Sequence, residues 1–224
     1  HGGGWRSGDK ASDKGMATYL STKGGITCFS INHRLAPQFK FPAQVLDCAR
    51  AVRWVRAHAA EYSVDPERLG ALGGSAGGHL SLMLGVMDPD AFQSPDDPNR
   101  ALSAKVQCAV SISGPTDLTG DTQWSDAAKR IAADFLGCTI ADDPAKHAQA
   151  SPLTYVTADD APTLMVHGDS DALVPVEQSR AMKAALEKVG VANELIVVAG
   201  GDHGFKGADP TEVSKAFQAM GKWL

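Results

Sequence analysis

Three short stretches of this chain hold the residue types needed for nucleophilic chemistry. Gly73-Gly74-Ser75-Ala76-Gly77 sets a serine hydroxyl among small residues in a G-x-S-x-G pattern. Alone the pattern is weak, arising by chance in about one of six chains with this length and composition. Its setting carries more. An apolar strand precedes it and an apolar helix follows, the context that forces a serine onto a sharp, exposed corner. Glycines flank the serine because a Cβ would clash in so tight a turn. The helix starting at Ala76 aims N–H groups and the positive end of its dipole at the oxygen. A second stretch, His167-Gly168-Asp169-Ser170-Asp171, offers two carboxylates, and a third, Gly200-Gly201-Asp202-His203-Gly204, an imidazole. The order Ser75, Asp171, His203 is that of a triad carried on loops after successive parallel strands. Such loops meet at the carboxyl edge of the sheet. Asp169 competes for the acid's role. Asp202 is a poor candidate, since it adjoins His203 and suits a turn hydrogen bond. His79 reads as a packing histidine and Asp117 as structural.

His1-Gly2-Gly3-Gly4-Trp5 is a rarer pattern. Three glycines let backbone N–H groups approach a substrate oxygen with no side chain in the way. Together with the N–H of Ala76 they would form an oxyanion hole. No G-x-x-x-x-G-K-[ST] or G-x-G-x-x-G pattern supports a phosphate-cradling alternative. His1 fits a role in orienting the loop.

These residues need elements to place them. Residues 25–32, 68–72, 106–112, 163–167 and 194–198 read as strands, the third and fourth nearly free of charge as if buried on both faces. Helices are expected over 42–60 and 76–87, from Pro175 to a stop at Gly190, and from a cap at Asp209 to Leu224. Residues 88–100 read as a surface loop. Strands alternating with helices argue for an α/β fold, a mostly parallel sheet with helices on both faces. The stretch 114–161 is too long for a connector. With Trp124, Ile131, Phe135 and Leu136, and one expected helix, it reads as a lid-like insertion or pocket wall.

At 224 residues the chain fits a single domain, 1–224, with 43% hydrophobic and 21% charged residues. A formal charge of −5 with no basic cluster argues against a nucleic-acid partner. No apolar run approaches the roughly 18 residues that span a bilayer. Cys28, Cys48, Cys108 and Cys138 form no C-x-x-C pair, which argues against a zinc site and for free thiols, with one disulfide open. A chain that opens on His rather than Met gives no basis for assigning a compartment.

The motifs as a set resemble one family. HGGGW at 1–5, NHRLAP at 32–37, FPAQVLD at 41–47, GGSAGGHL at 73–80, SPLTYV at 151–156, HGDSDALVP at 167–175 and GDHGF at 201–205 are similar to α/β-hydrolases of the hormone-sensitive-lipase-like kind. Within these the chain resembles small bacterial carboxylesterases, which include acetyl-xylan and feruloyl esterases. The resemblance implies Ser75 as nucleophile, His203 as base and Asp171 as acid, three residues after the strand-terminal His-Gly. It further implies an oxyanion hole from the N–H groups of Gly3, Gly4 and Ala76, with no metal or organic cofactor.

The implied reaction is hydrolysis of short-chain acyl esters, with acetyl or feruloyl esters of plant polysaccharide as candidates. The partner is then a small-molecule or carbohydrate ester, and oligomeric state stays open. An amidase or peptidase with the same triad, or a non-catalytic binding protein of this fold, are the alternatives. The fold also poses a problem. Its glycine loop follows a strand running between 25–32 and 68–72, and that strand would lie upstream of His1. Either the sequence is a piece of a longer protein or the two flanking strands close on each other.

Overall fold

The computed structural model describes residues 1–88, 91–120 and 124–224. Residues 89 and 90 of the expected loop, and 121–123 of the segment 114–161, lie outside the described residues. In chain order the elements are α1 (Lys14–Gly24), α2 (Ala43–Ala57), β1 (Gly70–Gly74), α3 (Ala76–Val86) and β2 (Cys108–Ile112). There follow α4 (Asp126–Leu136), α5 (Pro144–Gln149), a 3-10 turn at Pro152–Tyr155, β3 (Thr163–Gly168), α6 (Glu177–Val189), β4 (Asn193–Val198) and α7 (Pro210–Trp223). The four strands pair in parallel in the order β1-β2-β3-β4.

Strand alternation explains the layers, because successive side chains leave opposite faces. Val110, Leu164 and Val166 point to one side and bury Ala216 and Met220 of α7. Met165, between the last two, points to the other and packs on Leu82 and Val86 of α3 and on Met182 and Leu186 of α6. Apolar residues on both faces of β2 and β3 thus require helices on both. Local chemistry sets the helix ends. Ser125 accepts from the Ala128 N–H to start α4, and Asp209 accepts from the Thr211 N–H to start α7. Gly137 and Gly190 close α4 and α6 in left-handed conformations.

Residues 25–32 form no strand. A strand persists through a hydrogen-bonded neighbour, and this stretch pairs with none of the four. It runs instead along the far side of a groove of about 450 Å³, lined by Ile26, Cys28, Ile31, Leu72, Leu80 and Leu84. The groove separates it from β1, so the two flanking stretches do not close on each other. The segment 114–161 carries α4, α5 and the 3-10 turn where one helix was expected. Short α5 escapes periodicity, while its start is set by the Asp143 side chain accepting from Lys146 N–H. Helix α1, which buries only Leu20, gives almost no apolar stripe to read. All four cysteines are free thiols, and burial pushes Cys48 up to about 12.

Candidate active site

Ser75 stands at the corner between β1 and α3 with φ 54° and ψ −119°. A non-glycine residue in that region is strained by about 1–3 kcal/mol and is held there by its surroundings. The Ser75 N–H donates to the Ile112 carbonyl at 2.7 Å, and the His79 N–H donates to the Ser75 carbonyl at 3.0 Å. Close approach of the two arms fixes the glycines. A Cβ on Gly73 would strike the Gly77 carbonyl, and one on Gly78 would meet Ser111 Oγ at 2.7 Å. Asp171 comes three residues after β3 and His203 five after β4, so all three lie at the carboxyl edge of the sheet.

They meet there. His203 Nε2 lies 2.8 Å from Ser75 Oγ, and His203 Nδ1 lies 2.6 Å from Asp171 Oδ2. Asp171 is buried, and its other oxygen accepts from the N–H groups of Leu173 and Val174, both at 2.9 Å. His167 Nε2 lies 3.3 Å from Oδ2. Burial alone would push the Asp171 carboxyl up, but the contacts from His167, His203 and Val174 outweigh it and hold the carboxyl well below the usual range. A carboxylate so held stays charged beside the imidazole and selects the tautomer with a proton on Nδ1. The Nε2 lone pair is then free to accept from Ser75.

The neighbouring acids do other work. Asp169 accepts from the Gly200 N–H at 2.7 Å and ties two loops together. Asp202 accepts from the N–H groups of Gly204 and Lys206, the expected turn. Asp117 closes a turn through the Thr119 N–H. His79 is fully buried: Trp5 Nε1–H donates to its Nδ1 at 3.2 Å, and its Nε2–H donates to the Ala150 carbonyl at 2.7 Å.

The glycine loop lies against the serine corner, where a Cβ on Gly2 would come within 3.5 Å of the Ser75 Cβ. Gly3 and Gly4 take φ of 105° and 60°, conformations that side chains disfavour. The Gly3 carbonyl is turned into the loop by the N–H groups of Arg6 and Ser7, both at 3.1 Å. His1 keeps the loop in place by stacking on His33, ring centroids 4.2 Å apart. Gly3, Gly4, Ser75, Ala76 and His203 all border one cavity of about 320 Å³. Its walls add Trp5, Trp124, Ala128, Ile131, Leu173 and Val174, which give it an apolar lining. Of these, Ala128 had no place in the sequence reading, and Leu173 and Val174 entered it only as part of the HGDSDALVP motif, with no role at the site. The signal for Ala128 lay in the stripe 128, 132, 135, 136, which marks one face of a helix. Among the described residues no group of three or more His, Cys, Asp or Glu is arranged to hold a metal ion.

A parallel sheet with a serine corner after one strand, an acid and a histidine after two later ones, and helices on both faces defines an α/β-hydrolase. Comparison with known proteins gives the family. The chain matches the BD-FAE family over residues 1–186 and belongs to it. It is 34% identical to the probable carboxylic ester hydrolase LipM of Mycobacterium tuberculosis, over 84% of this chain and 44% of that protein. A truncated carbohydrate esterase from gut microbiota has a similar structure, with a TM-score of 0.87 and 30% identity over 99% of this chain and 81% of that one. So does a propionate-bound thermophilic esterase, Est2, from Thermogutta terrifontis, with a TM-score of 0.82 and 30% identity over 100% and 79%. The chain spans about half the length of the curated relatives it matches, 44% to 56% of the first three.

Proposed function

We propose that the protein is a carboxylesterase that hydrolyses short-chain acyl esters. The observation that carries this is the chain of contacts from Ser75 Oγ through His203 to Asp171, at 2.8 and 2.6 Å, beside an apolar cavity. In the proposed reaction His203 takes the Ser75 proton while Oγ bonds to the ester carbonyl carbon. The carbonyl oxygen becomes an anion held by the N–H groups of Gly3, Gly4 and Ala76. Each such donor is worth about 3–4 kcal/mol in the transition state. His203 then gives its proton to the departing alcohol, and water repeats the sequence on the acyl-enzyme.

The shape of the site supports a small acyl group and a larger alcohol. His203, which faces the alcohol, has a side chain 26% exposed, so that side opens to solvent. The cavity wall away from it is apolar and limited in volume. Acetyl groups on plant polysaccharide fit this reading better than the long aromatic feruloyl group, in line with the carbohydrate esterase and propionate-bound esterase among the similar structures. The segment 114–161, through Trp124, Ala128 and Ile131, serves as a pocket wall.

A serine-reactive fluorophosphonate is the direct test. The protein should label and Ser75→Ala should not, while the variant keeps its circular dichroism spectrum and loses ester turnover. Turnover retained by Ser75→Ala overturns the assignment. Matched ester and amide substrates should show faster ester cleavage, and the reverse preference would favour an amidase.

A further inference from the structure

Helix α4 grips the glycine loop at three consecutive residues. Ile131 Cγ2 lies 2.9 Å from the point a Cβ on Gly4 would occupy. Trp5 lies flat on Phe135, ring centroids 4.2 Å apart and planes within 10° of each other. Arg6 Nη1 donates to Asp134 Oδ2 at 2.6 Å. Residues 131, 134 and 135 fall on one helix face by their spacing. The same helix lends Ala128 and Ile131 to the wall of the cavity at Ser75. Ile131 therefore touches the substrate space on one side and the Gly4 backbone on the other.

With an ester oxygen at the Gly4 N–H and the alcohol toward His203, the first acyl carbons face the groups around Gly4. We propose that Ile131 is the residue that sets the acyl-length limit. Short acyl chains fill the space before it, and longer ones push it into Gly4. This rests on the esterase reading. Contact on both sides gives the limit a kinetic signature. An overlong chain disturbs an N–H that acts on the transition state, so the penalty falls on kcat more than on KM.

The test is a series of p-nitrophenyl acetate, butyrate, hexanoate and octanoate with the wild type, Ile131→Ala, Ile131→Val and Ala128→Val. One methylene in an apolar pocket changes kcat/KM by about tenfold or more. The hexanoate-to-acetate ratio of kcat/KM should rise at least about tenfold in Ile131→Ala and less in Ile131→Val, mainly through kcat. It should fall in Ala128→Val, which narrows the same wall. An unmoved ratio in both Ile131 variants overturns the role of Ile131 while leaving the esterase reading intact. A gain confined to KM overturns the link through Gly4. If Ile131→Ala fails to fold, the Val variant, smaller by one methyl, decides the matter. A wild type that cleaves none of the series overturns the esterase reading itself.

Discussion

Asp171 has both carboxylate oxygens engaged by its own protein: two backbone N–H groups on one, and His203 with His167 on the other. That enclosure makes the imidazole's tautomer a property of the fold. Asp171→Asn can keep much of the geometry, yet an amide nitrogen facing Nδ1 favours the tautomer whose proton sits on Nε2. We expect kcat to fall by about 10⁴, with a lower melting temperature as the share of stability from the buried carboxylate is lost. Steady-state kinetics beside a thermal melt check this, and a fall under tenfold would show that Asp171 does not set the tautomer. The carboxylate two residues earlier, Asp169, is occupied by Gly200, and its replacement acts on loop stability instead.

At the scale of elements, the corner between β1 and α3 is fixed by contact as much as by hydrogen bonds. Gly73→Ala forces a methyl onto the Gly77 carbonyl and moves the start of α3. Overpacking of this kind costs about 1–3 kcal/mol. The variant should show that loss in urea unfolding together with a loss of ester turnover larger than the stability change explains. The elements nearest this corner were also the most legible. Apolar runs free of Asp, Glu, Lys and Arg reveal β2, β3 and α3, because both their faces are buried. Ser75 and His203 stood out in the sequence because each sits among glycines that a tight loop requires, whereas Asp171 was separated from Asp169 only by the family resemblance. Residues 25–32 misled because β-friendly composition says nothing of whether a partner strand lies alongside. The role of Ile131 was hidden for the opposite reason. Its contact with Gly4 joins residues far apart in the chain, and nothing local announces it.

For the molecule as a whole, buried groups tie folding to acidity in two windows, His33 and His79 in the first and Asp171 in the second. Desolvation lowers His79 from the ordinary 6.5 to about 4. The unfolded chain then binds the extra proton first, so stability falls as pH drops from 6.5 and levels off below about 4. The span corresponds to about 3 kcal/mol. Asp171 is shifted the same way from a carboxylate's lower starting value, and its share is intact above about pH 4 and lost below it. Urea unfolding at pH 7, 5 and 3 should show both losses, and His79→Gln should shrink the first, leaving the part that belongs to His33, while the second stays.

The strands lie side by side in the order in which they are made, β1 through β4. A sheet of this kind can grow at one edge as the chain leaves the ribosome, each new strand docking on a neighbour already present. The proposed nucleophile, Ser75, directly follows β1, and the proposed base, His203, lies in the loop after β4. A nascent chain that has reached β3 therefore holds the serine corner before the histidine proposed to activate it has been made.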